Sequence, residues 1–372
     1  MDLIAFDPPR MGKNAHYQTI SSNLLGQLPG FDPHKRGLVS EDEIIPTQDG
    51  TGDRLYIHVH RYTGPSGHDI PAVVLVHGLE GSASSIYMVK MTKKLLHAGF
   101  HVVRMNMRGC GPGVDLARNL YNSGFTLDVE TVLAYVREKL SSKIALVGFS
   151  LGANVTLKYM GEDREERNRQ RALMGAPPIR GKLRDRIADV FIAVSPPLDL
   201  HASCEVLDGP AARIYRDMFL REIRKRVLPQ RKFDHIPNAH AELAHVRDWF
   251  EFDNIYIAPS AGFIGALEYH RHCASRYYVP HIETPGLVLH AHDDPLIDPI
   301  GWDETNWKAK PHLTAHLTRY GGHLGWLSRK HAFIPDRRWM DYRLMHYLTE
   351  WRDGTRIKKG RKSFWMRLFG RT

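Results

Sequence analysis

Three side chains far apart in this chain are of the types that together make an alcohol attack an acyl carbon. Ser150 lies in Gly148-Phe149-Ser150-Leu151-Gly152, a G-x-S-x-G. A serine hydroxyl is a poor nucleophile at neutral pH. It needs a base within hydrogen-bond reach, and the base needs an anion to hold its tautomer. Asp294 in HAHDDPLID and His323 in RYGGHLGWL supply those types, in the chain order serine, acid, histidine. Gly321 and Gly322 let the second loop carry the imidazole over Ser150. Attack on an ester builds an oxyanion, which two backbone N–H groups are expected to meet. One is Leu151, at a helix start; the other is Leu79, in the His77-Gly78-Leu79 turn. Losing one such donor typically costs about 3 kcal/mol. These groups supply nucleophile, base and oxyanion stabilisation unaided, so no cofactor and no metal is called for.

Competing readings exist for several of these residues. The three fixed letters of G-x-S-x-G arise by chance about one time in eight in a chain of this length. Asp293 competes with Asp294 as the acid; the Pro-Leu-Ile that follows returns the chain to the core and favours Asp294. His77 is read as shaping its turn and not as the base. His290, His292, Asp293 and Asp294 resemble the metallo-β-lactamase run H-x-H-x-D-H, but Pro295 stands where the last histidine belongs. His58 and His60 share one face of a strand, either as a two-histidine metal face or as a solvated sheet face.

Positioning these groups requires strands that end beneath them. Ile144 to Val147 is a short apolar run rich in β-formers, and a helical pattern with Val155, Leu157 and Tyr159 follows Ser150. A sharp strand-to-helix turn crowds the backbone, which explains residues without bulk on both sides of the serine. Pro71–Val76, His101–Met107, Val190–Val194, Leu287–His290 and Leu313–Tyr320 read as further strands. Helical spacing marks Ser85–Ala98, Phe125–Leu140 and Asp336–Arg352. Glu43–Pro46 and Arg54–Tyr62 read as an antiparallel pair. The alternation predicts an α/β fold with a mostly parallel central sheet flanked by helices. Asp294 and His323 then fall at carboxyl ends of strands, where such sheets place ligands.

Residues 41–195 and 283–354 are assigned to that core. Residues 1–40, rich in Pro, Gly and Asn, read as an irregular lead-in. Residues 196–282 lose the strand signal and show helical patterns near 210–227, 238–250 and 262–277, the form of a helical cap. Residues 162–186 are dense in Arg and read as a surface insertion of low order, or as a basic docking patch. Residues 355–372, RIKKGRKSFWMRLFGRT, read as a basic amphipathic tail, suited to peripheral contact with an anionic membrane surface or else frayed.

Composition bounds the rest. The chain has 372 residues, 42% hydrophobic and 25% charged, ordinary for a soluble globular protein. Its net charge of +10 attracts anions, but no nucleic-acid module is found, so nucleic acid is not an expected partner. Cys110, Cys204 and Cys273 are odd in number and widely spaced, with no C-x-x-C pair. Neither a disulfide framework nor a thiolate zinc site is suggested by that pattern, which points to a reducing cytoplasmic compartment. MDLIAFDPPRMGK lacks the apolar core of a signal peptide, and no unbroken apolar run of spanning length occurs.

Taken together, several motifs resemble the α/β-hydrolase superfamily, and within it the YheT-like hydrolases and the eukaryotic α/β-hydrolase-domain lipases and esterases. They are NAHYQT at 14–19, HGLEG at 77–81, NMRGCGPG at 106–113, YNSG at 121–124, GFSLGAN at 148–154, HAHDDPLID at 290–298 and GGHLGW at 321–326. The resemblance implies an α/β-hydrolase fold and a charge-relay system at Ser150, Asp294 and His323. It implies hydrolysis of carboxylic or phospholipid esters, or acyl transfer to alcohols. The membrane-anchoring helix of the eukaryotic members is absent, and the basic stretch 162–186 is outside the pattern.

The expected function is a serine ester hydrolase whose partner is a small lipophilic ester or lipid. Met218, Phe219, Leu220, Trp249, Phe250, Phe263 and Tyr269 either line an acyl pocket or pack a helical core. The alternatives are an acyltransferase with the same acyl-enzyme and a non-catalytic binding scaffold. Oligomeric state is left open.

Overall fold

The structure is a computed structural model of the chain. It describes residues 3–24, 37–63, 67–118, 120–173, 187–229 and 239–354. The basic tail 355–372, with its expected membrane contact, lies outside the described residues, as do 25–36 and 174–186.

Eight strands form one sheet: β1 Leu38–Pro46, β2 Arg54–Tyr62, β3 Ala72–Val76, β4 His101–Met105, β5 Ile144–Phe149, β6 Val190–Val194, β7 Gly286–Ala291 and β8 Leu313–Thr318. Their order across the sheet is β1-β2-β4-β3-β5-β6-β7-β8. β1 pairs antiparallel with β2, and β2 with β4. Every pairing from β4 across to β8 is parallel. Helices α1 Ala15–Leu24, α2 Ile86–His97, α3 Thr126–Lys139, α4 Leu151–Gly161 and α5 Arg164–Leu173 precede β6. Between β6 and β7 come α6 Leu200–Asp208, α7 Arg213–Val227, α8 Ala239–Leu243, α9 Trp249–Phe252, α10 Ala258–Ser260 and α11 Ala266–Cys273. α12 Ile300–Asp303 and α13 Trp339–Asp353 follow.

The central strands are continuous apolar runs because helices cover both sheet faces. Along β3, Val74 and Val76 join a cluster with Val132, Val136 and Leu157 of α3 and α4. Val73 and Leu75, pointing the other way, join Met91, Leu95, Met345 and Leu348 of α2 and α13. Each such side chain, fully buried, contributes about 1.5–3 kcal/mol, so the middle of the sheet is the stable platform. A third apolar cluster lies within α6–α11 and reaches Leu79, Leu151, Leu296 and Ile297 in the turns after β3, β5 and β7. The helical segment therefore packs onto the carboxyl rim of the sheet. Among the described residues, no helix is long and apolar enough to cross a membrane.

Three expectations need correction. The lead-in is not irregular throughout: α1 is a helix and β1 begins at Leu38. α1 gets its partners from residues more than 300 positions away, such as Leu327, whose carbonyl accepts from Gln18 Nε2 at 3.1 Å. The stretch from Glu162 is not of low order as far as it is described, since Arg164–Leu173 is helical. Its charges pair with the body of the protein. Arg167 Nη1 donates to Glu130 Oε1 at 2.9 Å, and Lys158 Nζ to Glu166 Oε1 at 2.6 Å. A polar composition reads as solvated, but here the opposite charges sit on packed helices. Finally, α6 is a helix that hydrophobic spacing misses; Asp199 starts it by accepting from Ala202 N at 3.0 Å.

Candidate active site

Ser150 sits between β5 and α4 with φ 54° and ψ −122°, a conformation an L-residue rarely adopts. Such a turn stores about 1–3 kcal/mol and persists only where the surroundings over-determine it. They do so here. A Cβ on Gly148 would lie 2.2 Å from Gly152 O, and a Cβ on Gly152 would lie 2.4 Å from His77 O. The Ser150 N–H donates to Val194 O of β6 at 2.8 Å.

Loops after β7 and β8 bring two side chains to that hydroxyl. His323 Nδ1 lies 2.8 Å from Asp294 Oδ2, and His323 Nε2 lies 2.9 Å from Ser150 Oγ. A carboxylate only accepts, so Nδ1 carries the proton and Nε2 is left to accept from the serine. Asp294 is held in turn by the Leu296 N–H, donated to its Oδ1 at 2.9 Å. Asp293 points elsewhere: its Oδ1 accepts from the Gly322 N–H at 2.9 Å, so it ties the two loops together. Burial raises the Asp293 carboxyl above its usual range. The His323 N–H donates to Thr19 Oγ1 of α1 at 2.9 Å.

Leu79 and Leu151 both line the cavity beside Ser150. The turn at Leu79 is clamped on either side. Gly78 N donates to Tyr87 Oη at 2.9 Å, and Glu80 N to Tyr121 Oη at 2.8 Å. Between them the Leu79 N–H has no protein acceptor among the described residues, and neither has the Leu151 N–H at the start of α4. His77 shapes this turn: its Nδ1 donates to Gly78 O at 2.8 Å and its Nε2 accepts from Met107 N at 3.0 Å. Burial lowers its pKa to about 4, so the ring stays neutral. His290 of the metallo-β-lactamase-like run is buried against Trp302, ring centroids 5.8 Å apart.

The serine hydroxyl opens on a cavity of about 500 Å³. Of the expected pocket residues, Met218, Phe219, Trp249 and Tyr269 line it. Leu220 is buried in the helical cluster, Phe250 packs on His201, and Phe263 packs on His272. Helical spacing cannot say which face of α7 or α9 meets the cavity.

A sequence model described as the alpha/beta hydrolase fold matches residues 71–329, a span that holds all three site residues. The chain belongs to the α/β-hydrolase fold family. This α/β hydrolase is similar to the YheT protein of Escherichia coli (strain K12), 26% identical over 349 residues, covering 92% of this chain and 93% of the other. A monoacylglycerol lipase of Saccharomyces cerevisiae is 26% identical over 338 residues, covering 86% and 69%. Among solved structures, an esterase of Pyrococcus furiosus aligns at TM-score 0.53 and 16% identity, covering 93% of this chain and 99% of its own, which shows a shared fold.

Sequence reasoning about this α/β hydrolase missed the residues that hold the turns. Thr19, Tyr87 and Tyr121 each bond a backbone N–H of a site loop. Glu80 accepts from Tyr121 Oη at 2.9 Å and from Arg226 Nη2 of α7 at 2.6 Å. Thr19 and Tyr121 stand in motifs that carry the family resemblance; nothing local to Arg226 marks it.

Proposed function

We propose that this α/β hydrolase is a serine carboxylic-ester hydrolase that takes lipophilic acyl esters through an acyl-enzyme on Ser150. One observation carries the reading: an unbroken hydrogen-bonded chain from Asp294 through His323 to Ser150, opening on a cavity walled by apolar side chains. The monoacylglycerol lipase among its relatives agrees with that chemistry.

In this mechanism Ser150 Oγ attacks the acyl carbon as its proton passes to His323 Nε2. Asp294 steadies the imidazolium that forms. The negative charge on the acyl oxygen falls between the N–H groups of Leu79 and Leu151, which carry it without rearranging. The imidazolium then protonates the departing alcohol, leaving the acyl-serine. Water, deprotonated by His323, releases the acid and restores the hydroxyl. The helices between β6 and β7 act as the cap that excludes bulk water and receives the acyl chain. The same acyl-serine with an alcohol acceptor would transfer the acyl group, so the ratio of hydrolysis to ethanolysis in added ethanol separates these outcomes.

A fluorophosphonate probe tests the proposal. The wild-type protein should label and Ser150→Ala should not; equal labelling of both would end it. A series of p-nitrophenyl esters from acetyl to long chain should then show a preference for the longer acyl groups.

A further inference from the structure

Outside the serine site, three buried side chains of the helical segment converge. Cys204 of α6, Asp253 just after α9 and His270 of α11 offer ligand atoms that all lie within 4.8 Å of one another. They are only 5%, 6% and 3% exposed. All three line the wall of the ester cavity. We propose that Cys204, Asp253 and His270 form a binding site for one divalent cation of the zinc type.

The donor set is the first argument. A thiolate, an imidazole and a carboxylate together suit zinc, whose bonds to them run about 2.0–2.3 Å. Ligands around one tetrahedral ion are therefore roughly 3.5 Å apart. Closing from 4.8 Å or less needs side-chain shifts of about an ångström.

The second argument is an unmet nitrogen. His270 Nε2 lies 2.8 Å from Asp253 Oδ2, yet its buried Nδ1 has no hydrogen-bond partner. An imidazole kept only as a packed core residue is expected to have both nitrogens satisfied. His201, three residues before Cys204, also leaves a buried Nδ1 unpartnered, and its ring sits 5.8 Å from the His270 ring.

Charge is the third argument. Cys204 Sγ lies 3.7 Å from Asp208 Oδ2 and within 4.8 Å of the Asp253 carboxylate, so two carboxylates stand beside the thiol. A cation seated there meets opposite charge. Binding exchanges the Cys204 proton, lost to solvent, for the ion; the thiolate and the Asp253 carboxylate then offset its two charges. Asp253 is also the first residue of a π-turn, Asp253–Ile257, a helix irregularity that recurs at functional sites.

The test uses the full chain, dialysed against a chelator, with Zn2+ titrated by calorimetry in the absence of any ester. Co2+ is then added as a coloured substitute. The expected result is one ion per chain at micromolar affinity or tighter, with a thiolate-to-cobalt charge-transfer band. Cys204→Ser should remove the band and weaken Zn2+ binding at least tenfold, whereas Cys110→Ala and Cys273→Ala should not. Circular dichroism checks that each variant is folded. If Cys204→Ser does not fold, the wild-type cobalt band, retained in both other cysteine variants, assigns the thiolate by itself. Absence of one-to-one binding to the wild type, or a band that survives in folded Cys204→Ser, overturns the site. Because no ester is present, that failure is independent of the hydrolase reading.

Discussion

On one side of the cavity, Ser150, Asp294 and His323 hang from the ends of β5, β7 and β8. Their loops are fixed by bonds from main-chain N–H groups: Ser150 N to Val194 O, Asp294 N to Ala291 O, and Gly322 N to the Asp293 carboxylate Oδ1. On the other side, Leu207, Phe219, Ile223 and Trp249 project from helices that meet the rim mainly through apolar contact. Polar ties between the sides are local. Arg226 reaches Glu80 in the turn after β3, and Tyr269 Oη accepts from Ser123 N at 2.8 Å. Asn154 of α4 bonds Cys273 O and Ser275 N, at 2.9 Å each. The difference is instructive. Backbone bonds and glycine-sized gaps leave the reacting atoms one arrangement, whereas an apolar wall changes shape at modest cost. In the proposed mechanism, chemistry belongs to the rim and substrate selection to the helices.

The largest effect should come from the rim. Asp294→Asn keeps the shape of the site but stops the acid from holding the imidazole tautomer, so kcat/KM should fall about 10⁴-fold with the melting temperature little changed. Asp293→Asn should cost far less, since Asp293 faces a backbone N–H. A reversed ranking in steady-state kinetics would break the assignment of roles.

Next comes the tie between the sides. Arg226→Met leaves Glu80 buried without its cation beneath the Leu79 turn. Denaturant unfolding should show a loss of about 3 kcal/mol, and kcat should drop more than KM rises. Adding Glu80→Gln should restore much of the stability. If Arg226→Met alters KM only, α7 acts as wall and not as support for the turn.

Acid should loosen the rim as well. Burial holds His77 and His290 near a pKa of about 4 against 6.5 for a free ring. Between those values the unfolded chain binds more protons, so stability falls as pH drops from about 6.5 to about 4. Each ring contributes about 3 kcal/mol of that loss. Thermal melts across the range should record it; a flat profile would mean that neither ring is confined as described.

The smallest effect is the most local. Leu207→Trp adds bulk to the helical wall, away from the triad. Hydrolysis of decanoyl esters should fall roughly 10–100-fold while acetyl esters stay within about twofold. Equal loss on both would show that the wall supports the chemistry too.

Much of this was legible without coordinates, and the reason is locality. Gly148 precedes Ser150 because the turn itself excludes a Cβ there, at Gly152 O, so that constraint is written within five residues; Gly152 is small because the end of β3 passes beside it at His77 O. The central strands announced themselves as apolar runs because both their faces are covered. α5 was not legible. Its Arg167 and Glu166 find partners on other helices, Glu130 and Lys158, and opposite charges that pair look the same in a sequence as charges left in water.

What the amino-acid order determined by itself was the fold class and the places where strands stop beneath Ser150, Asp294 and His323. Periodicity and steric need act over a few residues and survive in a string of letters. Which acid faces the imidazole, that Thr19 takes the His323 N–H, that Arg226 reaches Glu80 in the turn after β3, and which of seven apolar side chains meet the cavity were decided by tertiary structure. Each depends on how segments far apart in the chain pack, and the choice among several near-equal partners is made only when all of them compete for the same space.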